Sequence, residues 1–282
     1  MKIKTVGVVG CGLMGGGIAQ VVAQAGCETI VREASEELLA KGLGRIEKIL
    51  AGAVAKGKIE EDDMRATLGR IKGTTDLAEM HPCDIVIEAV TENPEVKRQV
   101  FSTLDTVTSD HAILASNTSS ISITELAGAT SRPGQVLGLH FFNPVPIMSL
   151  IEMVIGLDTH DDTVAVARKF GESLGKKVIV AKDTPGFIVN YLLIPYLLDA
   201  IRLVESETAT PEDIDAGMVL GCSHPMGPLK LLDFIGLDTT LFIADVLYDA
   251  FRTDRYAAPP LLRKMVAAGH HGRKSGRGFY AY

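Results

Sequence analysis

No run of apolar residues in this chain reaches the roughly 18 to 20 positions that a membrane-spanning helix needs, so a spanning helix is excluded and no membrane partner is expected. Low-complexity tracts, blocks of like charge and internal repeats are also missing, which leaves no basis for a disordered tail or a basic arm. Cysteine is sparse. Cys11, Cys27, Cys83 and Cys222 stand far apart, without the paired spacing of zinc sites or redox motifs, and are expected to be reduced structural thiols. The seven histidines include the neighbours His270 and His271, but no acid or cysteine cluster stands beside them, so a surface or interface role is expected there and no metal is expected. Positive charge is in deficit, with 28 Lys and Arg against 35 Asp and Glu. The formal net charge of −7 opposes general attraction to nucleic acid, and any phosphate site must be built locally.

What is present is the composition of an ordinary globular protein, 46% hydrophobic and 22% charged. At 282 residues the chain exceeds what one core usually organises, so two domains are expected. Ile3 to Val9 reads as a strand almost at the start, leaving no room for a signal or transit sequence, and this suggests a cytoplasmic protein.

From residue 3 to about 180, short β-branched runs alternate with longer helical patterns, the signature of a parallel sheet covered on both faces. The runs are Val6 to Val9, Thr29 to Val31, Ile85 to Val90, Ala112 to Ala115, Val136 to Leu139, Leu150 to Ile155 and Val178 to Val180. Helical patterns fall at 14–25, 36–56, 60–68, 95–107, 122–128 and 162–173, and the long gap between the second and third runs suggests an inserted helical pair. After Thr184-Pro185-Gly186 no strand pattern returns; helices are expected near 187–206, 211–220, 228–251 and 259–268, with a Gly-rich segment from Gly272. The expected fold is α/β, a Rossmann-type doubly wound, mostly parallel sheet over 1–184, followed by a smaller all-α domain over 185–282.

Gly10-Cys11-Gly12-Leu13-Met14-Gly15 is a G-x-G-x-x-G between the first strand and a helix. The first glycine permits a tight turn and the second lets the backbone approach a pyrophosphate. The third packs helix against strand, while the helix N-terminus supplies partial positive charge. Glu33 follows the second strand, 18 residues beyond Gly15, where a carboxylate accepts adenosine ribose hydroxyls. It would repel a 2′-phosphate, so NAD is favoured over NADP, although Arg32 beside it weakens that discrimination.

Two further polar segments sit at strand C-terminal ends, where ligands bind in open parallel sheets: Ser116-Asn117-Thr118-Ser119-Ser120 and His140-Phe141-Phe142-Asn143-Pro144. Alone, His140 reads as a satisfied strand-end histidine and Ser119 as the cap of the next helix. Together with Val6 to Gln20, Asp183 to Asn190, His224 to Pro228 and Gly272 to Tyr282, however, they make the chain resemble the 3-hydroxyacyl-coenzyme A dehydrogenase family, almost end to end.

The resemblance implies NAD-dependent interconversion of 3-hydroxyacyl-CoA and 3-ketoacyl-CoA, with short acyl chains and roles in fatty acid or butanoate metabolism. It makes His140 the general base, Glu152 its partner, and Ser119 and Asn190 the polar groups around the reacting oxygen. It adds Glu92, Lys97, Asn117 and Asn143 to the cofactor site beside Gly10, Gly12, Leu13, Met14, Gly15 and Glu33, and it makes Lys56, on the inserted helices, a contact for the phosphate-bearing end of coenzyme A. A homodimer formed through the helical domain is also implied, with apolar faces in 187–206 and 228–251 as the contact. The chain departs from the family pattern at Ile49, where a serine is frequent, and at Tyr191, where an arginine is.

Overall fold

A computed structural model describes residues 2–282, and its contacts divide the chain into two compact units, 1–184 and 185–282. The first is built on one eight-stranded sheet with the spatial order β3-β2-β1-β4-β5-β6-β7-β8. Its strands are β1 (Thr5–Val9), β2 (Glu28–Arg32), β3 (Ile71–Thr74), β4 (Ile85–Glu88), β5 (Ile113–Ser116), β6 (Val136–Phe141), β7 (Leu150–Ile155) and β8 (Lys177–Lys182). The central strands β1, β4, β5 and β6 are buried almost throughout, which is why they read as continuous apolar runs rather than alternating ones. All neighbours pair in parallel except β6 and β7.

Helices α1 (Leu13–Gln24), α2 (Glu36–Ala55), α3 (Glu61–Gly69), α4 (Pro94–Val107), α5 (Ile123–Ala127) and α6 (Asp161–Ser173) complete this unit. Side-chain oxygens of Ser35, Asn93 and Ser122 cap α2, α4 and α5 by accepting from backbone amides, so those helices start where the sequence offers a cap. The α2–α3 pair is followed by β3, an edge strand the sequence pattern does not reveal: Ile71-Lys72-Gly73-Thr74 has one neighbour, and Lys72 faces solvent.

The second unit is helical: α7 (Val189–Glu205), α8 (Pro211–Cys222), α9 (Pro228–Ile235), α10 (Leu237–Phe251) and α11 (Pro260–Ala267). The single helix expected over 228–251 is broken at Gly236, whose φ of +104° no helical residue adopts and which L side chains rarely tolerate. The unit's core gathers Leu197, Leu198, Ile201, Leu229, Leu232 and Leu247, among others. Two buried aspartates tie its ends together. Asp215 accepts from the Leu229 and Lys230 amides and the Tyr280 hydroxyl, and Asp233 accepts from the Phe279 and Tyr280 amides and the Tyr282 hydroxyl.

Among the described residues no helix is long and apolar enough to cross a membrane. All four cysteines are free. Burial pushes the Cys11 thiol up to about 11 and the Cys83 thiol to about 12, which suits inert packing groups. Cys222 is exposed, so the expectation of a structural thiol does not extend to it.

Candidate active site

The C-terminal ends of β1, β4, β5 and β6 lie along one sheet edge, and hydrogen bonds continue the ladder past the strands. Ala89 N–H donates to Val9 O at 2.7 Å, Asn117 N–H to Glu88 O at 2.8 Å, and Phe141 N–H to the side-chain Oδ1 of Asn117 at 2.9 Å. Residues 10–15, 89–92, 117–120 and 140–143 are thereby held in sequence along that edge, with Asn117 as the spacer between β5 and β6.

His140 and Glu152 are direct register partners on the antiparallel pair β6 and β7. Opposed residues of such a pair project from one face, with Cβ atoms about 4.5–5.5 Å apart. A separation of 12 residues therefore closes to 2.7 Å between His140 Nδ1 and Glu152 Oε2. Both groups are buried, and the Glu152 side chain is fully so. A carboxylate taken out of water costs several kcal/mol unless donors meet it; an imidazole N–H at Nδ1 serves as one, and in return the carboxylate fixes the ring's orientation. The Phe142 ring lies against the imidazole, with centroids 4.5 Å apart.

A second cluster occupies the ends of β4 and β5. Lys97, 1% exposed, donates to Glu88 at 2.7 Å and pairs with Glu92 at 3.2 Å, and Glu88 is fully buried. Glu88 also accepts from the Ser116 hydroxyl at 2.6 Å and the Val90 amide at 2.7 Å. Glu92 accepts from the Thr118 hydroxyl, from the Ser119 amide at 2.9 Å and hydroxyl at 3.3 Å, and from the Ser120 hydroxyl at 3.2 Å. Burial alone would raise the Glu92 carboxyl, but the Lys97 ammonium and the hydrogen bonds from Thr118 and Ser119 outweigh it and hold it below the usual carboxylate value. Lys97 is thus no solvated helix charge, and Ser119 is not the cap of α5, which is Ser122. Glu88 was not singled out from the sequence, and Ser116 and Thr118 only as members of a polar segment at a strand end. The available signal was a glutamate closing an otherwise apolar run, nine residues before a lysine.

The glycine loop fits a dinucleotide. Gly10 sits at φ +100°, and a Cβ on Gly15 would lie 1.8 Å from Gly10 O, so neither position admits a side chain. A Cβ on Gly12 would meet nothing within 4 Å, and no side chain caps α1. Open space beside Gly12 and a helix N-terminus without a side-chain cap are what a pyrophosphate needs there. Glu33 stands over the loop, accepting from the Cys11 amide and the Ala34 amide, each at 2.7 Å. Arg32 turns away to donate from Nε to Thr75 O at 3.2 Å. Leu13 is exposed and Met14 half-buried beside the loop.

The remaining sequence-derived positions are more dispersed. Asn143 is exposed in the connection after β6, and Lys56 is exposed at the C-terminal cap of α2. Asn190 belongs to the second unit, buried in the first turn of α7. Next to it, Tyr191 meets the rings of Phe251 and Tyr256 edge-on, and the Arg255 guanidinium sits 5.1 Å over its ring. Among the described residues there is no group of three or more His, Cys, Asp or Glu able to hold a metal ion.

Comparison with known proteins gives a consistent result across both units. Residues 5–184 match the family model for the 3-hydroxyacyl-CoA dehydrogenase NAD binding domain, and residues 186–282 match the model for its C-terminal domain. The chain is 51% identical over 282 residues to a 3-hydroxybutyryl-CoA dehydrogenase of Mycobacterium tuberculosis, covering 99% of both chains. It is 46% identical to the mitochondrial hydroxyacyl-coenzyme A dehydrogenase of Homo sapiens, covering 99% of this chain and 91% of that one. Among solved structures, (S)-3-hydroxybutyryl-CoA dehydrogenase from Ralstonia eutropha superposes with a TM-score of 0.95 at 46% identity, covering 100% of this chain and 99% of that one.

Proposed function

The chain belongs to the 3-hydroxyacyl-CoA dehydrogenase family, and we propose that it interconverts short-chain 3-hydroxyacyl-CoA and 3-ketoacyl-CoA with NAD. The observation that carries the reading is the buried 2.7 Å contact of His140 with Glu152 on the ligand edge of a sheet that also bears an open dinucleotide loop. The glycine loop and Glu33 would hold NAD, which would supply a hydride acceptor for the substrate's third carbon.

The protein's own part is to move one proton and to hold the reactants. With Glu152 ionised and accepting at Nδ1, the imidazole keeps its proton on that nitrogen and its basic lone pair on Nε2. Nε2 takes the hydroxyl proton of the substrate, and the adjacent carboxylate stabilises the imidazolium that results. Ser119 and Asn190 are assigned the hydrogen bonds to the reacting oxygen, Asn190 on its motif position alone. Glu92, Lys97 and Asn143 are assigned to the cofactor's ribose side, and Lys56 to the coenzyme A phosphates.

A preference for NAD over NADP is supported by Glu33, held at the loop, and by Arg32, whose guanidinium is engaged by Thr75. The family resemblance and the exposed Leu192, Leu203 and Phe242 on α7 and α10 support a homodimer, testable by light scattering. A cytoplasmic location belongs to the same reading and is tested by fractionation.

The deciding assay mixes purified protein with NADH and acetoacetyl-CoA and follows the reduced nicotinamide absorbance. Turnover is expected, and it should be faster than with NADPH. Failure with this and longer 3-ketoacyl thioesters would leave a non-catalytic NAD-binding protein as the reading.

A further inference from the structure

The connection between β6 and β7, residues 142–149, joins the strand of His140 to the strand of Glu152 and carries Asn143. Its internal support is slight: a turn in which the Ile147 and Met148 amides donate to Pro144 O at 2.9 and 3.0 Å. Ile147 at its tip is 77% exposed. The Lys177 amide holds its far end by donating to Ser149 O at 2.7 Å, and two further contacts from outside hold its middle. Val145 is buried against the bare backbone of Gly17 in α1, where a Cβ would come within 2.9 Å of it. Lys176, immediately before β8, is itself buried and donates from Nζ to Val145 O at 2.7 Å and Met148 O at 2.6 Å.

A lysine here needs an explanation, because removing an ammonium from water is costly and these partners are main-chain carbonyls rather than a carboxylate. Burial holds its amine below the ordinary lysine value. Partial compensation comes from helix ends. α6 stops at Ser173, three residues earlier, and Val21, Gln24 and Ala25 at the end of α1 line the same depression as Pro146 and Lys176. Helix C-termini favour a nearby cation. A leucine at this position would bury comparable area without that cost, but it could not reach across to two carbonyls of the connection.

We infer that Lys176 is a positioning residue for the dehydrogenase reaction, a cationic clip that sets the 142–149 connection and with it Asn143 at the cofactor edge. The inference rests on the functional reading above for what Asn143 contacts, and on the hydrogen bonds alone for the clip. Lys176 touches no reacting atom; it acts through the main chain that it holds.

The test compares Lys176→Met, Asn143→Ala and the double variant in the full chain, by NADH titration, by steady-state kinetics with acetoacetyl-CoA, and by amide hydrogen exchange over 142–149. Lys176→Met should speed exchange at Ile147 and Met148, weaken NADH binding and lower turnover by about tenfold, since misplacement of a positioning element by about an ångström can cost up to a hundredfold in rate. The double variant should be within about twofold of the worse single one, because both act through the same contact. Unchanged exchange, unchanged NADH affinity in soluble Lys176→Met, or losses that multiply with those of Asn143→Ala would overturn the inference. Should the Met variant not fold, Lys176→Gln, whose shorter uncharged side chain falls short of spanning both carbonyls, is judged by the same three criteria. If the wild-type chain fails to turn over acetoacetyl-CoA, the functional reading falls while the exchange rates still decide the clip.

Discussion

Two acid–base pairs on the same sheet edge share a contact distance of 2.7 Å: Lys97 with Glu88, and His140 with Glu152. Their surroundings set them apart. Lys97 is bracketed by two carboxylates, which are in turn held by Ser116, Thr118, Ser119 and two backbone amides. Discharging that lysine would strand one fully buried anion and a second, partly exposed one, so the cluster keeps its charges and holds the β4 and β5 ends beneath the edge assigned to the cofactor. The imidazole meets the Glu152 carboxylate across the strands, and either of its protonation states can donate at Nδ1. The second pair can therefore pass a proton while keeping its geometry; the first cannot.

The comparison breaks first at His140. His140→Asn keeps an N–H donor for Glu152 while removing the base, so kcat should fall about 10²- to 10⁴-fold, the range that a positioned general base contributes. NADH affinity and the thermal midpoint should stay close to wild type, read by fluorescence titration and calorimetry. Retention of wild-type kcat would remove the imidazole from the proton transfer and make this pair another lock.

Lys97→Met attacks the other pair, and the loss should appear in stability. Removing one partner of a buried ion pair leaves an uncompensated charge, at a cost of about 3–5 kcal/mol. Denaturant unfolding should report a loss of that order, and a second change, Glu88→Gln, should restore part of it, because the stranded charge would then be gone. If Lys97→Met were instead as stable as wild type and slow in turnover, Lys97 would be a chemical participant, and the contrast between the two pairs would fail.

Much of this was legible in the sequence, for identifiable reasons. Buried parallel strands are continuous apolar runs, so β1, β2 and β4 to β8 stood out; β3, a four-residue edge strand with a solvated lysine and a glycine, did not. The break at Gly236 was hidden because the apolar spacing of α9 runs on through the turn into α10. His140 and Glu152 were joined by motif alone, although the chain held a physical clue. The connection 142–149 is too short for a parallel crossover, which takes about a dozen residues or more, so β7 had to run antiparallel and could set 152 opposite 140. The Glu88–Lys97–Glu92 lock was less legible, since it joins residues from a strand end, a loop and a helix whose convergence only the sheet order decides.

Glu92 offers the smallest and sharpest distinction, because it belongs to the lock yet remains partly exposed at the edge, and Ser119 donates to it. Its carboxyl is held below the ordinary value in the folded chain. Its contribution to stability is therefore complete above the unfolded value of about 4.3 and is lost as pH falls through the lower folded value. Glu92→Gln should cost about 1 kcal/mol at neutral pH, the scale of one charge-assisted contact near the surface. The cost should begin to shrink as pH drops below the unfolded value of about 4.3 and vanish once it passes the lower folded value, where the wild-type carboxyl also loses its charge. Thermal midpoints of the two proteins, measured from pH 7 down to pH 3, should therefore converge on the acid side. Parallel curves would mean that Glu92 acts by shape and hydrogen bonding rather than as an anion, and the lock would then rest on Glu88 alone.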